Sequence, residues 1–402
     1  MLVLRRLFCN WEESDMVEWK KLEEIAKYRR GSFPQPYGKE EWYNGEGAMP
    51  FVQVADVEEN AMCLKETTKQ YISTLAMPMS VYVPQGSIVV TLQGSIGKVA
   101  ITQYESYVDR TLGIFTGFKI PINKKYFVYQ LQKIFSIKKV KARGGIIKTI
   151  SKEEFSKFEI PIPSKSEQER IVSILDTFTS SISNLKEQIK ERRKQYEYYR
   201  DQLLDLEGKD GVEMKTLGEV AKYRRGSFPQ PYGNEEWYNG EGAMPFVQVA
   251  DVEENGMKLK DSTKQFISTL AMPMSVFVPQ GSIVVTLQGS IGKVAITQYD
   301  SYVDRTLGIF TGFLINIDKK YFAHQLLKIF SIKKKKARGG TIKTITKEEF
   351  SQFAIPIPSK EEQLRIVTIL DQFEASIANL EAQLKEREKQ YEYYRNQLLT
   401  FE

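Results

Sequence analysis

Tyr28-Arg29-Arg30-Gly31-Ser32-Phe33-Pro34 returns 195 positions later as Tyr223-Arg224-Arg225-Gly226-Ser227-Phe228-Pro229. These seven residues belong to a longer match. Without a gap, Met16–Glu207 aligns with Gly211–Glu402, and Leu22–Pro163 is about 85% identical to Leu217–Pro358. A period this long belongs to a duplicated domain and is too long for a solenoid, so the two copies must share one fold. Copies this close point to recent duplication, and their agreement does not single out important residues.

Each copy has two parts. The first, Val17–Pro163 and Val212–Pro358, is rich in turn residues and short β-branched runs. Gly86-Ser-Ile-Val-Val-Thr-Leu-Gln-Gly94-Ser-Ile-Gly97-Lys-Val-Ala-Ile-Thr102 predicts strands joined by tight turns. Around Lys124–Lys139 the apolar residues Phe127, Leu131, Ile134 and Phe135 fall at helical spacing, so the domain mixes α and β. Ile160-Pro161 and Ile162-Pro163 close it in an extended segment, because proline disfavours helix at the preceding residue.

The second part predicts a long helix. Ser164 or Ser166 can cap it, Glu167 and Glu169 sit in its first turn, and no Gly or Pro interrupts it through Glu207. Apolar residues recur at steps of 3 and 4: Leu175, Phe178, Ile182, Leu185, Ile189, Tyr196, Tyr199, Leu203 and Leu206. The second copy gives Leu370, Phe373, Ile377, Leu380, Leu384, Tyr391, Tyr394, Leu398 and Phe401. Roughly 40 residues at 1.5 Å each make a rod of about 60 Å. Two rods with apolar seams should pack together, and the short link Gly208-Lys-Asp-Gly211 favours an antiparallel pair with the globular domains at opposite ends. A parallel pair with adjacent domains is the alternative. Arg192 and Arg387 break the seam, either fixing register or marking a splay.

Charge is unevenly spread. The chain carries +6 overall, yet Lys119–Lys157 holds about eleven positive and two negative side chains, and Leu314–Gln352 about ten and three. The rods are close to neutral. Lys138, Lys139, Lys141 and Arg143, running into Gly144-Gly145, match Lys333, Lys334, Lys336 and Arg338 before Gly339-Gly340, with Lys148 and Lys343 beyond. Such a run suits a phosphate backbone, where Lys and Arg gain by counterion release and a glycine pair admits close backbone approach. A solvated basic helix end is the blander reading.

Base edges need directed donors and acceptors. The turn-rich loops offer Arg29, Arg30, Gln35, Gln53, Gln93, Ser95, Arg110 and Thr111, and in the second copy Arg224, Arg225, Gln230, Gln248, Gln288, Ser290, Arg305 and Thr306. Lys98 and Lys293 are grouped with them as DNA-facing cations.

Catalytic patterns are missing. His324 is the sole histidine and aligns with Tyr129, so no histidine chemistry serves both copies; it is expected at the surface. Gly94-Ser-Ile-Gly97-Lys98 lacks the first glycine and the Ser/Thr of a phosphate loop, and Gly45-Glu-Gly47 meets Pro50 where a dinucleotide fingerprint needs glycine. Asp56, Asp109, Asp251 and Asp304 are expected to be turn or salt-bridge groups. Cys9 and Cys63 are the only cysteines, and Lys258 replaces Cys63 in the second copy, which argues against a disulfide framework or a Cys-based metal site. No apolar run has the length of a membrane helix, and Met1–Cys9 lacks a signal-peptide layout, so a cytoplasmic protein is expected.

Pro50-Phe-Val-Gln-Val-Ala-Asp-Val57, Pro84-Gln-Gly-Ser-Ile88, Ile160-Pro-Ile-Pro163, Glu167-Gln168-x-Arg170-Ile171-Val172 and Tyr196-Glu-Tyr-Tyr-Arg200-x-x-Leu203-Leu204 recur in the second copy, ending in Tyr391-Glu-Tyr-Tyr-Arg395-Asn-Gln-Leu398-Leu399. In this combination the chain resembles a specificity subunit of a type I restriction-modification system. The resemblance implies an α+β chain with internal pseudo-two-fold symmetry: two mixed α/β target recognition domains, 16–163 and 211–358, separated by two long antiparallel coiled-coil helices, 164–210 with its link and 359–402. It implies a bipartite DNA site, near-palindromic here because the copies are so alike, with its spacing set by the helices. It also implies a non-catalytic chain that binds no cofactor. Methyltransferase subunits, two copies expected, and restriction/motor subunits would dock on it, bringing S-adenosylmethionine, ATP and Mg. Residues 1–15 are expected to be an extension, either an upstream read or an artefact, with Met16 the more usual start. Two readings compete: a coiled-coil scaffold for some other acidic partner, and a general DNA-binding protein. A stand-alone enzyme ranks behind both.

Overall fold

A computed structural model describes residues 17–59, 61–141, 155–254, 256–336 and 347–401, without the side chains of 138–141, 334–336 and 347–348. The expected extension 1–15 lies outside the described residues. The chain forms two compact units, one of residues 1–185 with 383–402 and the other of residues 186–382.

In the first unit the chain runs β1 (Glu18–Lys21), α1 (Leu22–Ile25), β2 (Ala26–Arg30), β3 (Met49–Val52), β4 (Gln70–Ile72), β5 (Val81–Val83), β6 (Ile88–Thr91), β7 (Val99–Ile101), β8 (Ser106–Val108), β9 (Leu112–Phe118), α2 (Lys124–Lys141), β10 (Glu159–Ile162) and α3 (Lys165–Leu203). One sheet has the order β2-β9-β6-β7, a second β4-β3-β8-β5, and β1 pairs with β10. All pairings are antiparallel except β3 with β8. The run Ile88-Val89-Val90 shows why the sheets stack. Its side chains alternate between faces, and both faces are buried: Val89 joins Val52, Val83 and Val108 between the sheets, while Ile88 and Val90 join Phe127 and Phe135 of α2. Proline is tolerated in β10 because that strand pairs on one side only, with β1.

Gly31 is where β2 crosses to the second sheet. Its N–H bonds the Leu112 carbonyl, and the next N–H, of Ser32, bonds the Val108 carbonyl. A Cβ at Gly31 would lie 2.2 Å from the Val108 carbonyl oxygen, so only glycine fits the crossing. Gly97, at φ +83°, likewise presses its turn onto Phe135.

α3 begins with Ser164 Oγ accepting from the Glu167 N–H. Gln168, fully buried, accepts from the Asn123 N–H at the start of α2 and donates to the Pro163 carbonyl. Glu167 pairs with Arg170 through both carboxylate oxygens. Gln168 is therefore a clamp between helix and domain, while the Glu167–Arg170 pair lies within the helix. Beside α3 lie residues 383–399 of the last long helix, Lys360–Leu399. Phe178 meets Tyr391 and Tyr394 at 6.5 and 5.3 Å, while Leu175 shares a core with Leu398. Rising numbers on one helix face falling numbers on the other, so the pair is antiparallel and the parallel alternative is excluded.

The second unit repeats this with β11 (Glu213–Thr216), α4 (Leu217–Val220), β12 (Ala221–Arg225), β13 (Met244–Val247), β14 (Gln265–Ile267), β15 (Val276–Val278), β16 (Ile283–Thr286), β17 (Val294–Ile296), β18 (Ser301–Val303), β19 (Leu307–Phe313), α5 (Lys319–Lys336), α6 (Lys347–Ser351), β20 (Ala354–Ile357) and α7 (Lys360–Leu399). Sheet orders and registers match those of the first unit. Tyr196 and Tyr199 of α3 face Phe373 of α7 at 6.3 and 5.5 Å, again antiparallel.

The seam differs from expectation in three ways. Tyr199 stays exposed although its ring stacks on Phe373. Arg387 and Arg192 lie over Phe178 and Phe373, at 5.7 and 5.9 Å, so each arginine covers a seam ring. The helices end at Leu203 and Leu399 and not beyond, so Leu206 and Phe401 leave the seam. They pack instead into domain cores with Leu204 and Leu399, whose carbonyls accept from Lys328 and Lys133. A lysine at a helix C-terminus suits the exposed carbonyls and the dipole. His324, expected at the surface, is fully buried on α5.

Candidate nucleic-acid interface

Main-chain hydrogen bonds draw four loops of the first domain together. Ser32 N–H reaches the Val108 carbonyl, Asp109 N–H the Val52 carbonyl, and Leu92 N–H the Thr111 carbonyl. Gly94 comes within 3.9 Å of Val54 when given a Cβ. The segments after β2, β3 and β6 and the β8–β9 turn thus share one end of the sandwich. They carry Arg30, Gln35, Gln53, Gln93, Ser95, Arg110 and Thr111. The second domain repeats the pattern through Ser227, Asp304 and Leu287 and so gathers Arg225, Gln230, Gln248, Gln288, Ser290, Arg305 and Thr306.

The acids in these loops shape turns, as expected. Asp56 is buried and accepts from the N–H groups of Gln53 and Lys69. Asp109 Oδ1 accepts from both the N–H and the hydroxyl of Thr111, which fixes the turn that carries Arg110. Asp251 and Asp304 do the same in the second domain.

The cations divide by environment. Arg110 is exposed and lies 4.4 Å over the Phe33 ring; Arg305 lies 4.4 Å over Phe228. Arg29 and Arg224 are exposed on their strands. Arg30 and Arg225 are half-buried beside Tyr28 and Tyr223, whose hydroxyls burial pushes above the ordinary tyrosine pKa while the guanidiniums pull the other way. Lys98 and Lys293 do not project from the surface as grouped. Their ammonium groups reach back to the carbonyls of Val57 and Val252, and Lys293 also pairs with Glu254 at 2.6 Å. Lys333 is exposed, 4.4 Å over Phe353. Lys138, Lys139 and Lys141 end α2, and Lys334 and Lys336 end α5, with side chains outside the described residues, as are Arg143, Lys148, Arg338 and Lys343 altogether.

Two aromatic residues at this surface escaped the reading by polar type. Phe33 packs edge-on against Tyr37 at 4.8 Å, and Tyr37 is 66% exposed. Phe228 and Tyr232 repeat this at 4.9 Å, with Tyr232 71% exposed. Phe33, Gln35, Tyr37, Asp109, Arg110 and Thr111 line a depression of about 370 Å³. The signal was an aromatic at each end of a Pro-x-Pro loop, since stacking groups on a rigid loop are common in nucleic-acid surfaces. Among the described residues no group of three or more His, Cys, Asp or Glu side chains is placed to hold a metal, and no helix is long and apolar enough to cross a membrane.

Known proteins resemble the chain along most of its length. The family described as "Type I restriction modification DNA specificity domain" matches residues 15–192 and 209–389. The EcoR124I/EcoR124II specificity subunit of Escherichia coli is 36% identical over 269 residues, 63% of this chain and 65% of that protein. The match therefore spans less than two thirds of that relative. The EcoprrI specificity subunit of Escherichia coli is 29% identical over 383 residues, 89% of this chain and 88% of that one. Two solved structures share the fold. A type I restriction-modification S subunit from M. genitalium has a TM-score of 0.56 at 15% identity, covering 98% of both chains. A chain from work on complex assembly and conformational transition of the type I R-M system has a TM-score of 0.65 at 18% identity, covering 95% of this chain and 96% of that one.

Proposed function

The chain belongs to the family of type I restriction modification DNA specificity domains, and from that membership we propose that it is the DNA-reading subunit of a type I restriction-modification complex. The observation that carries the reading is the convergence of four loops, rich in hydrogen-bonding side chains, at one end of each sandwich. Such a surface suits base edges, while the basic stretches around 138–148 and 333–343 suit phosphates.

Every residue of the four loops from Gly31 to Gly38, at Gln53, from Leu92 to Ser95 and from Asp109 to Thr111 is identical in the second copy. Two identical reading surfaces call for two copies of one half-site, an inverted repeat interrupted by unread bases. The paired helices set the separation. Catalysis resides on other chains: methyltransferase subunits, two per complex, using S-adenosylmethionine on adenine, and restriction/motor subunits using ATP and Mg.

Mapping methylated bases in cells that carry this subunit with its methyltransferase tests the reading. A bipartite site with inverted, matching halves is expected. Unrelated halves overturn the symmetry. Duplex binding without sequence preference favours a general DNA binder, and no duplex binding favours a scaffold.

A further inference from the structure

We infer that Arg110 and Arg305 are the guanine readers of the two domains, each presenting its guanidinium from an aromatic seat at the centre of the converging loops. The inference deepens the proposed reading and rests on it. Arginine recognises guanine by donating two hydrogen bonds from one fork to O6 and N7, and this works only if the fork is held in place. Three observations meet that need at Arg110.

First, position. The turn that carries Arg110 bonds β3 through Asp109 and the end of β6 through Thr111, and its side chain lines one depression with Phe33, Gln35 and Tyr37 of the loop after β2. Second, restraint. The guanidinium carbon lies 4.4 Å over Phe33, inside the roughly 6 Å reach of a cation–π attraction, and Phe33 is braced by Tyr37. Behind it, Asp109 is buried and spends Oδ1 on the Thr111 N–H and hydroxyl. Third, availability. Among the described residues the Arg110 guanidinium has neither a hydrogen-bond acceptor nor a carboxylate within ion-pair distance, so its donors remain for an incoming acceptor. The other cations of the cluster differ. Lys98 donates to Val57, and Arg30 lies against Tyr28. The ring also repays the arginine for lost water without using its N–H groups, which is what a preorganised donor requires.

The second domain repeats each point. Arg305 lies 4.4 Å over Phe228, Tyr232 braces the ring, and Asp304 holds Thr306. The recognised sequence should therefore carry a guanine at the equivalent position of each half.

The test selects sequences from a random duplex DNA pool with the full chain in its methyltransferase complex, comparing wild type with Arg110→Ala, Arg110→Lys and Arg305→Ala. Expected for wild type is a bipartite site with one such guanine per half. Arg110→Ala and Arg110→Lys should each weaken the preference for guanine about 5- to 150-fold at that one base pair in one half only, and Arg305→Ala in the other half only. Lysine keeps the charge but not the fork, so a full rescue by Arg110→Lys would show that the seated fork is not what reads the base, and a uniform loss across all sequences in Arg110→Ala would show a phosphate contact; either overturns the inference. An unchanged preference at every position overturns it as well. Unaltered salt-dependent binding to unselected duplex shows that each variant is folded. Wild type that selects no sequence overturns the proposed function itself, a result distinct from the other three.

Discussion

His324 stands where the first copy has Tyr129, and the exchange leaves the two units unequal in acid. Tyr129 donates its hydroxyl to Asp176 at 3.0 Å. His324 is fully buried, and among the described residues neither ring nitrogen has a partner. Burial pushes its pKa down to about 4; Asp371 and Asp318 face it and raise it, while Arg200 and Lys320 lower it further. The depressed value fixes the sign. Between about pH 6.5 and 4 the unfolded chain binds a proton that the folded unit refuses, so the contribution of this site to stability is intact above that window and falls as pH drops through it, by about 3 kcal/mol in all. His324→Tyr restores the first copy's residue opposite Asp371. Amide hydrogen exchange of residues 319–333 should lose protection between pH 7.5 and 5 in wild type and lose much less in the variant, with residues 124–137 as the internal standard. Equal losses in both proteins would refute this. The burial of His324 was not legible from spacing, because Tyr321 to Leu326 form a continuous buried run and periodicity cannot assign a face to a helix covered on all sides. The better clue was the bulky aromatic at the aligned position.

At the scale of elements, the heptads made the long helices readable, and the basic, turn-rich segments made the domains so. The helix ends were not, because Leu203–Leu206 and Leu398–Phe401 continue the 3-and-4 spacing after the helix has stopped. Their burial belongs to the domains. Leu399 is fully buried in the core of the first unit and Leu204 in that of the second. Leu399→Ala should cost the first unit about 2–5 kcal/mol and leave the second nearly unchanged, and Leu204→Ala should do the reverse. Proteolysis of each variant, read by which half is cut first, checks the prediction. The loops show the other limit of a one-dimensional reading. The turns that carry Arg110 and Gln53 are brought side by side by the parallel β3–β8 pair, a pairing of distant segments that no local pattern encodes. Lys98, grouped with the DNA-facing cations, reaches back to the Val57 carbonyl.

For the molecule as a whole, the duplication was legible at once, and it remains the strongest reason to expect symmetry in the DNA. If the paired helices set the half-site separation, removing seven residues from the middle of each shortens the pair by about 10 Å, or roughly three base pairs at 3.4 Å each. Sequence selection with the doubly shortened chain should return half-sites about three base pairs closer, or none. Unchanged spacing would show that the helices do not measure the gap.

The crossed cores also impose an order in time. Leu398, Leu399 and Phe401 close a core that otherwise consists of residues before 176, so the first unit waits for more than half of the chain to be synthesised. At 5–20 residues per second that delay is roughly 10–45 s. During it the core that Leu398, Leu399 and Phe401 complete lacks these residues while the next long helix is still to come. The second unit has no such wait, because Leu204 and Leu206 precede its own domain. The half translated first is thus the half completed last.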